Sequence, residues 1–228
     1  MALKNHKKLR PITGLRGLCA ARRGVFVALA LGLLAGCATG MSEDECVAAD
    51  WGALGEADGL AGAAAGRFSE RAENCSKFKI GADAAAYDAG RRRGLARYCT
   101  PASGFEQGRK GQPYYDVCPA GLADAFLVEY EIGTRLYQLT RDYDGAVERY
   151  RQATDDLEDA RYDLQRKRDR YRENTLSDEE RASLQDDIRD LRRTVEAIEN
   201  DLPLLEASID RARFALEDYR AFIDQRGR

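Results

Sequence analysis

The chain has 228 residues, of which 44% are hydrophobic and 33% charged, a length and composition that suit one or two folded domains. Lysine and arginine together number 36 and aspartate and glutamate 39, so the net charge at pH 7 is −3. Acidic residues are in excess, and the excess grows once the basic N-terminal segment described below is removed. This argues against nucleic acid or bare anionic lipid as the main partner, because binding to phosphates requires an excess of cations.

The first residues have the organisation of a secretion signal. Lysines and arginines precede an apolar run from Val25 to Leu34, which is shorter than the roughly 20 residues of a transmembrane helix. The LAGC string that ends at Cys37 resembles the bacterial lipoprotein box, which implies cleavage before Cys37 and lipid attachment to its thiol. We therefore expect residues 1–36 to be removed and residues 37–41 to form a lipidated N-terminus and linker. The alternative is a signal-anchor helix with an ordinary thiol at Cys37.

Removal of this segment changes the chemistry that the mature chain can perform. Seven basic residues leave with it, so the charge becomes 29 − 39 = −10. The only histidine, His6, is lost as well. Without histidine there is no imidazole base for a Ser or Cys nucleophile and no histidine ligand for zinc or haem. We expect no enzyme activity of that kind, no metal site and no cofactor.

Four cysteines remain once Cys19 leaves with the signal and Cys37 takes the lipid. An even number is typical of disulfides in an oxidising compartment. Four cysteines can pair in three ways, and we favour the pairing in which each bridge closes a local loop. A zinc site or a redox-active pair is the alternative, but the spacing lacks the CxxC motifs that such sites use. The favoured pairs are Cys46 with Cys75 and Cys99 with Cys118.

Glycine is concentrated in the next part of the chain, and we expect residues 42–135 to form one small domain. Fourteen of the 21 glycines fall between Gly40 and Gly133. Within it an aromatic residue repeatedly precedes spaced glycines, which share one face of a helix and admit another backbone. They indicate either tight packing of short helices or a shallow ligand groove. The aromatic residues at its edge would be Trp51, Tyr87, Phe105 and Tyr114.

The segment Thr100–Val117 contains several glycines and prolines, which predict a long ordered loop or a short hairpin. The rest of the domain is predicted to be helical. The predicted helices are Ser42–Trp51, Glu56–Asn74, Asp83–Tyr98 and a last one from Pro119 onward.

Charged side chains of the domain allow two functional alternatives. A basic cluster is typical of a solvated face paired with acids, but it could instead contact phosphates of envelope lipids or carboxylates of cell-wall peptides. A cell-wall hydrolase would need a desolvated carboxyl group as its acid. The cluster comprises Arg91, Arg92, Arg93, Arg97, Arg109 and Lys110, and the candidate acids are Asp58, Asp83, Glu106 and Asp116.

Three motifs in this domain are specific. Asp50–Gly59 reads DW with LGxxDG, Tyr87–Pro101 reads YxxGxxxGLxxYCTP, and Gly104–Pro119 reads GFxxGxxGxxYxxVCP. Together they resemble an uncharacterised family of proteobacterial lipoproteins, a domain of unknown function, over Asp44–Tyr137. The resemblance implies an exported, disulfide-bearing and mostly helical domain, and it assigns no catalytic residue.

Heptads dominate residues 136–225. Large residues recur at seven-residue steps from Leu136 to Tyr171, and the first four are followed three residues later by Leu139, Ala146, Ala153 and Ala160. Ser177 with Glu180 forms a capping box that starts a second helix with its own apolar seam. With a turn near residues 174–177, the two seams predict an antiparallel coiled-coil hairpin. Pro203 should bend its second helix without breaking it.

The sequence therefore predicts an all-α protein in which a small disulfide-stapled domain is followed by a long helical hairpin. We expect a lipoprotein of the Gram-negative cell envelope, and Ala38 after Cys37 favours the outer membrane, facing the periplasm. The expected partners are the lipid bilayer through Cys37 and a protein through the hairpin, including a second copy of the chain. The alternatives are an adaptor for an envelope transport or secretion assembly, a cell-wall enzyme and a small-ligand binding module.

Overall fold

The computed structural model describes residues 40–227, so the expected signal segment, residues 1–36, and Cys37 lie outside the described residues. Within residues 40–227 the chain is helical and contains no strand, which confirms the predicted all-α class. Seven helices follow one another in this range: α1 (Glu43–Val47), α2 (Trp51–Leu60), α3 (Arg67–Ser76), α4 (Ala84–Tyr98), α5 (Pro101–Arg109), α6 (Ala120–Tyr171) and α7 (Asp178–Arg226).

Two pairs of helices form the domain, and glycines hold each pair close together. Helix α2 packs on α4, and α5 packs on the first part of α6. A Cβ atom added to Gly59 in α2 would lie 2.5 Å from the carbonyl oxygen of Arg91 in α4. One added to Gly108 in α5 would lie 2.7 Å from the backbone nitrogen of Thr134 in α6. Only glycine allows backbones to approach this closely.

The two pairs are versions of one unit, which we call the first unit (α2 and α4) and the second unit (α5 and the start of α6). Helices α2 and α5 both end at a glycine in the left-handed region, Gly62 at φ 62° and Gly111 at φ 66°. The same two backbone hydrogen bonds close both helix ends. Each glycine also lies against a tyrosine ring of the partner helix, Tyr98 for Gly62 and Tyr137 for Gly111.

A disulfide ties the start of each unit to the segment before its second helix. Cys46 in α1 is bonded to Cys75 in α3, and Cys99, directly after α4, is bonded to Cys118, directly before α6. The Cα atoms are 5.4 Å and 5.6 Å apart, respectively. These are the two pairs that close local loops. Each bridge therefore restrains the loop that separates the two helices of its unit.

The prediction of a loop or short hairpin at Thr100–Val117 is wrong for its first half. Residues Pro101–Arg109 form α5. Thr100 caps this helix, because its side chain accepts a hydrogen bond from the backbone of Ser103. Proline occupies the first helical position, where no backbone donor is needed. The glycines that suggest a loop serve instead as the helix face that packs on α6.

The predicted single helix Glu56–Asn74 is divided into α2 and α3. The chain leaves α2 through the left-handed Gly62, which ends the helix before α3 starts at Arg67. The predicted helix Ser42–Trp51 is also divided, because α1 ends at Val47 and Asp50 caps the new helix α2. In both places the capping residue overrides a continuous helical pattern.

Helices α6 and α7 form the predicted antiparallel hairpin. Tyr219 donates a hydrogen bond to the carbonyl oxygen of Ile132 near the base, and Arg161 pairs with Glu199 near the middle. The Ser177 capping box is present, and α7 continues through Pro203 without interruption. Residues 172–177 connect the two helices. The buried residues of the seam are Leu139, Ala146, Leu157, Ala160 and Leu164 in α6, with Ile188 and Leu216 in α7.

One uninterrupted helix joins the domain to the hairpin. Helix α6 has 52 residues, and the proposed boundary between residues 135 and 136 lies inside it. The C-terminal end of α7 returns to the same place, where Arg226 pairs with Glu129 at 2.7 Å. The hairpin therefore leaves the domain in a direction fixed by α6.

Candidate functional site

The most enclosed polar group of the domain is a network around Asp58. Its side chain accepts two hydrogen bonds from the guanidinium of Arg71, both at 2.8 Å, and a third at 2.8 Å from the hydroxyl of Tyr87. Asp58 is 6% exposed and Tyr87 is 1% exposed. Helix α2 supplies the carboxylate, α3 the arginine and α4 the tyrosine, so the network joins all three helices.

The charge state of this network is fixed by its hydrogen bonds. Burial works to raise the pKa of Asp58, but the donors on Arg71 and Tyr87 outweigh it, and the net shift of the pKa is downward. Burial, together with the hydrogen bond to Asp58, raises the pKa of Tyr87 to about 12. At neutral pH the carboxylate is therefore ionised and saturated with donors. Such a group stabilises the fold and is poorly suited to act as a general acid.

The other candidate acids have separate local roles. Asp83 caps α4 by accepting a hydrogen bond from the backbone of Ala86. Glu106 is paired with Arg109 at 2.6 Å on the exposed surface of α5. Asp116 lies in the connection before α6 with φ 52°. Residues 40–227 contain no group of three or more His, Cys, Asp or Glu side chains arranged to hold a metal ion.

The glycine faces do not form the groove that the ligand-binding alternative requires, because the partner helices fill them. Trp51 and Tyr87 are buried together, with Phe68 between their rings. Tyr114 packs in a second cluster whose centre is the fully buried Phe126. Phe105 lines a cavity of about 300 Å³ between α5, α6 and the end of α7, which is also lined by Pro101, Ala102, Glu129, Ile132, Ile223, Arg226 and Gly227.

Most of the basic cluster is neutralised within the domain. Arg93 and Arg97 both approach Glu56, at 3.0 Å and 3.8 Å. Arg109 and Lys110 share Glu106. The Arg91 side chain donates to the carbonyl oxygen of Ala63. Four of the six cations are therefore paired with acidic side chains, as in the acid-paired face that the sequence favours.

A second basic region, which the sequence analysis missed, lies near the tip of the hairpin. Four arginines line an open groove of about 610 Å³ between α6 and α7, and no acidic residue lines it. The sequence could have revealed these arginines through their spacing, because all four occupy heptad positions that flank the seam on one side. We call this surface the arginine groove and define it by Arg168, Arg172, Arg189 and Arg192, together with Gln165, Tyr171, Gln185 and Ile188.

Comparison with known proteins places a family match on the domain alone. None of the helices in residues 40–227 combines the length and the apolar character that crossing a membrane requires. No curated protein and no solved structure matches the chain. Residues 50–135 contain both glycine-packed units and end directly before the hairpin. They match the family model described as "Protein of unknown function (DUF2799)", which confirms the resemblance of this domain to an uncharacterised domain family.

Proposed function

We propose that the chain is a lipid-anchored protein of the Gram-negative cell envelope, facing the periplasm, that acts without catalysis by presenting its α6–α7 hairpin to a protein partner. The observation that carries this proposal is the continuity of α6, which runs from the disulfide-bonded second unit to the hairpin tip. A hairpin that continues a helix of the domain would hold a partner bound at its tip at a fixed distance from the domain, and this role does not require catalysis.

The anchor is proposed from the LAGC sequence that ends at Cys37. The domain would lie close to the bilayer, because Gly40 already contacts the side chain of Asn74 in α3. Three acyl chains would hold the protein firmly, since each buried CH₂ group contributes about 0.8 kcal/mol. Ala38 at the following position favours delivery to the outer membrane.

The length of the hairpin would allow its tip to contact a partner far from the domain. The part of α6 beyond residue 135 has 36 residues, which corresponds to roughly 54 Å at 1.5 Å per residue. The tip at residues 172–177 would then stand well away from the domain and from the anchoring membrane. This distance suits a spacer or an adaptor.

A non-enzymatic role is supported by how the candidate acids are used. Asp58 is saturated with hydrogen bonds, Asp83 is a helix cap, and Glu106 is exposed and paired. The hydrogen bonds from Arg71 and Tyr87 lower the pKa of Asp58, and the hydrogen bond from Arg109 lowers the pKa of Glu106, whereas a general acid at neutral pH needs a raised pKa. Their contacts are those of structural residues.

Photocrosslinking in living cells tests this role. A photoreactive amino acid replaces Leu176 at the hairpin tip, and a matched control carries it at the exposed Glu73 of α3. We expect a discrete adduct from the tip and none of the same size from the control. Capture of an envelope assembly protein would identify an adaptor, and capture of the same chain would identify a homotypic spacer. Absence of any adduct at the tip, together with release of fragments from purified sacculi by the protein, would contradict the proposal in favour of an enzyme.

A further inference from the structure

We propose that the hairpin docks onto a second copy of this chain, with the arginine groove of each copy seated on an acidic band of the other. This inference rests on the proposed interaction role of the hairpin and names its partner. It starts from charge that the hairpin leaves unbalanced along one of its faces.

The arginine groove contains guanidinium groups without acidic partners. Arg172 and Arg189 each pair with an aspartate three residues earlier in the chain, Asp169 and Asp186. Arg168 and Arg192 form no ion pair among residues 40–227, and the Nε atom of Arg168 is buried without a hydrogen-bond partner. A buried N–H group without an acceptor is costly to the isolated chain. Arg168 and Arg192 both line the open groove. A carboxylate that enters the groove would pair with their guanidinium groups, and bidentate pairs between arginine and carboxylate are strong.

Glutamates are concentrated in a second region of the hairpin, farther from the tip, which we call the acidic band. Between Thr194 and Asp210 α7 contains five acidic residues and no basic one, and residues 152–160 of α6 contain four acidic residues and no basic one. Within the acidic band, Arg161 neutralises Glu199. Glu206 accepts a hydrogen bond from Tyr150, which carries no charge. The acidic band is defined by Glu158, Glu196, Glu199 and Glu206.

The arginine groove and the acidic band lie on the same face of the hairpin. When the seam residues Leu157, Leu164 and Ile188 are taken as heptad position a, the arginines and these glutamates all fall at positions b and e. In an antiparallel pair the e positions of the two helices face each other, and the ion pair between Arg161 and Glu199 shows this arrangement. One face therefore carries positive charge near the tip and negative charge beside it.

This pattern is self-complementary. The two regions are separated by about 10 residues, or roughly 15 Å along the hairpin. A twofold axis between them places each arginine groove opposite the acidic band of the other copy, with the two hairpins antiparallel. The contact is isologous and closes on two copies, so it does not extend into a filament. The two domains then lie at opposite ends of the pair.

The chemistry sets the expected strength. Exposed ion pairs are individually weak and are screened by salt, so the dimer should form at low ionic strength and dissociate at high ionic strength. Complementary charge also selects the alignment, because an in-register parallel pair of two such faces would oppose like charges, whereas the antiparallel pair makes both contacts attractive.

A charge-swap experiment on the full mature chain in detergent tests the proposal by sedimentation velocity. The tip variant combines Arg168→Glu with Arg192→Glu, and the band variant combines Glu158→Lys with Glu196→Lys. Each variant alone should dimerise roughly tenfold more weakly than the wild type, or worse. An equal mixture of the two should regain the dimer, because both contacts of the mixed pair are attractive. The matched control combines Arg149→Glu with Arg211→Glu, which line a cleft on the other side of the seam, and should dimerise normally.

Three results would overturn self-docking. The first is a wild-type chain that stays monomeric at low ionic strength, whether or not inorganic phosphate binds in the arginine groove. The second is a mixture of the two variants that fails to restore the dimer. The third is an equal loss in the control. A monomeric chain whose tip still captures a different envelope protein in cells would overturn self-docking and leave the proposed interaction role in place.

Discussion

Tyr87 of the first unit and Phe126 of the second occupy equivalent positions and differ by one hydroxyl group. Each lies seven residues before the glycine at which the paired helices meet, Gly94 and Gly133, and they are 1% and 0% exposed. The Tyr87 hydroxyl donates to Asp58, whereas the position equivalent to Asp58 in the second unit is Gln107. The two units share a backbone design, and the first one alone has a buried ion pair at its centre.

The ion pair between Asp58 and Arg71 should contribute more to stability than the hydrogen bond from Tyr87. Replacing Asp58 by Ala leaves the Arg71 guanidinium without its partner, and we expect a loss of about 3 kcal/mol in the free energy of unfolding. Tyr87→Phe removes one hydrogen bond and copies the second unit, so its cost should be about 1 kcal/mol. Urea unfolding followed by circular dichroism measures both. Equal losses in the two variants would contradict a dominant ion pair.

The same carboxylate should make stability depend on pH. Its pKa is lower in the folded chain than the ordinary value of 3.8, so folding favours the ionised form. The stabilisation of the wild type over Asp58→Asn should be complete above the unfolded pKa. It should disappear as the pH falls below 3.8 through the lower folded pKa. Unfolding curves of both proteins over this range test the sign, and a difference that grows on acidification would refute it.

The glycine contacts predict a sharp contrast between two similar substitutions. A methyl group at Gly59 would meet the backbone of α4, so Gly59→Ala should lower the free energy of unfolding by about 2–3 kcal/mol. Gly121 lies in the first turn of α6 with nothing within 4 Å of an added Cβ. Gly121→Ala should raise stability by up to about 1 kcal/mol, because alanine has the higher helix propensity. Thermal unfolding distinguishes them, and similar melting temperatures would mean that the units are not tightly packed.

The two disulfides should contribute similarly to stability. Their sequence separations are 29 and 19 residues, and in the loop-entropy description each bridge is worth about 3 kcal/mol. Replacing Cys46 and Cys75 by alanine, or Cys99 and Cys118, should therefore cost about the same. A reducing agent should lower the stability of the wild type. It should not change the stability of a variant in which all four of these cysteines are replaced. Insensitivity of the wild type to reductant would show that the bridges do not form.

Much of this architecture follows from local pattern. The seam of the hairpin can be predicted because apolar residues recur with helical period over many turns, and the Ser177 capping box marks where the second helix begins. The helix class of the domain follows in the same way. Contacts that repeat along a helix in this way produce a regular residue pattern, which can be recognised in the sequence.

The domain was harder to predict because its decisive contacts are between backbones. Glycines at 104 and 108 are ambiguous in sequence, since the same residues suit a loop or a close helix crossing, and only the position of α6 decides between them. The Asp58 network joins residues 13 and 29 positions apart, and no local pattern connects them. The arginines of the groove share heptad positions b and e, which the sequence shows. Predicting that they form one groove also requires the register of the two helices relative to each other.

The most direct test of the account is acylation of Cys37 in cells. Labelled palmitate should be incorporated into the wild-type chain, which should fractionate with the outer membrane. Cys37→Ser should lose the label and appear as an unanchored or unprocessed form, while Cys19→Ser should keep both label and location. Label that persists in Cys37→Ser, or a wild-type chain that carries none, would contradict an anchored protein that presents its hairpin across the periplasm.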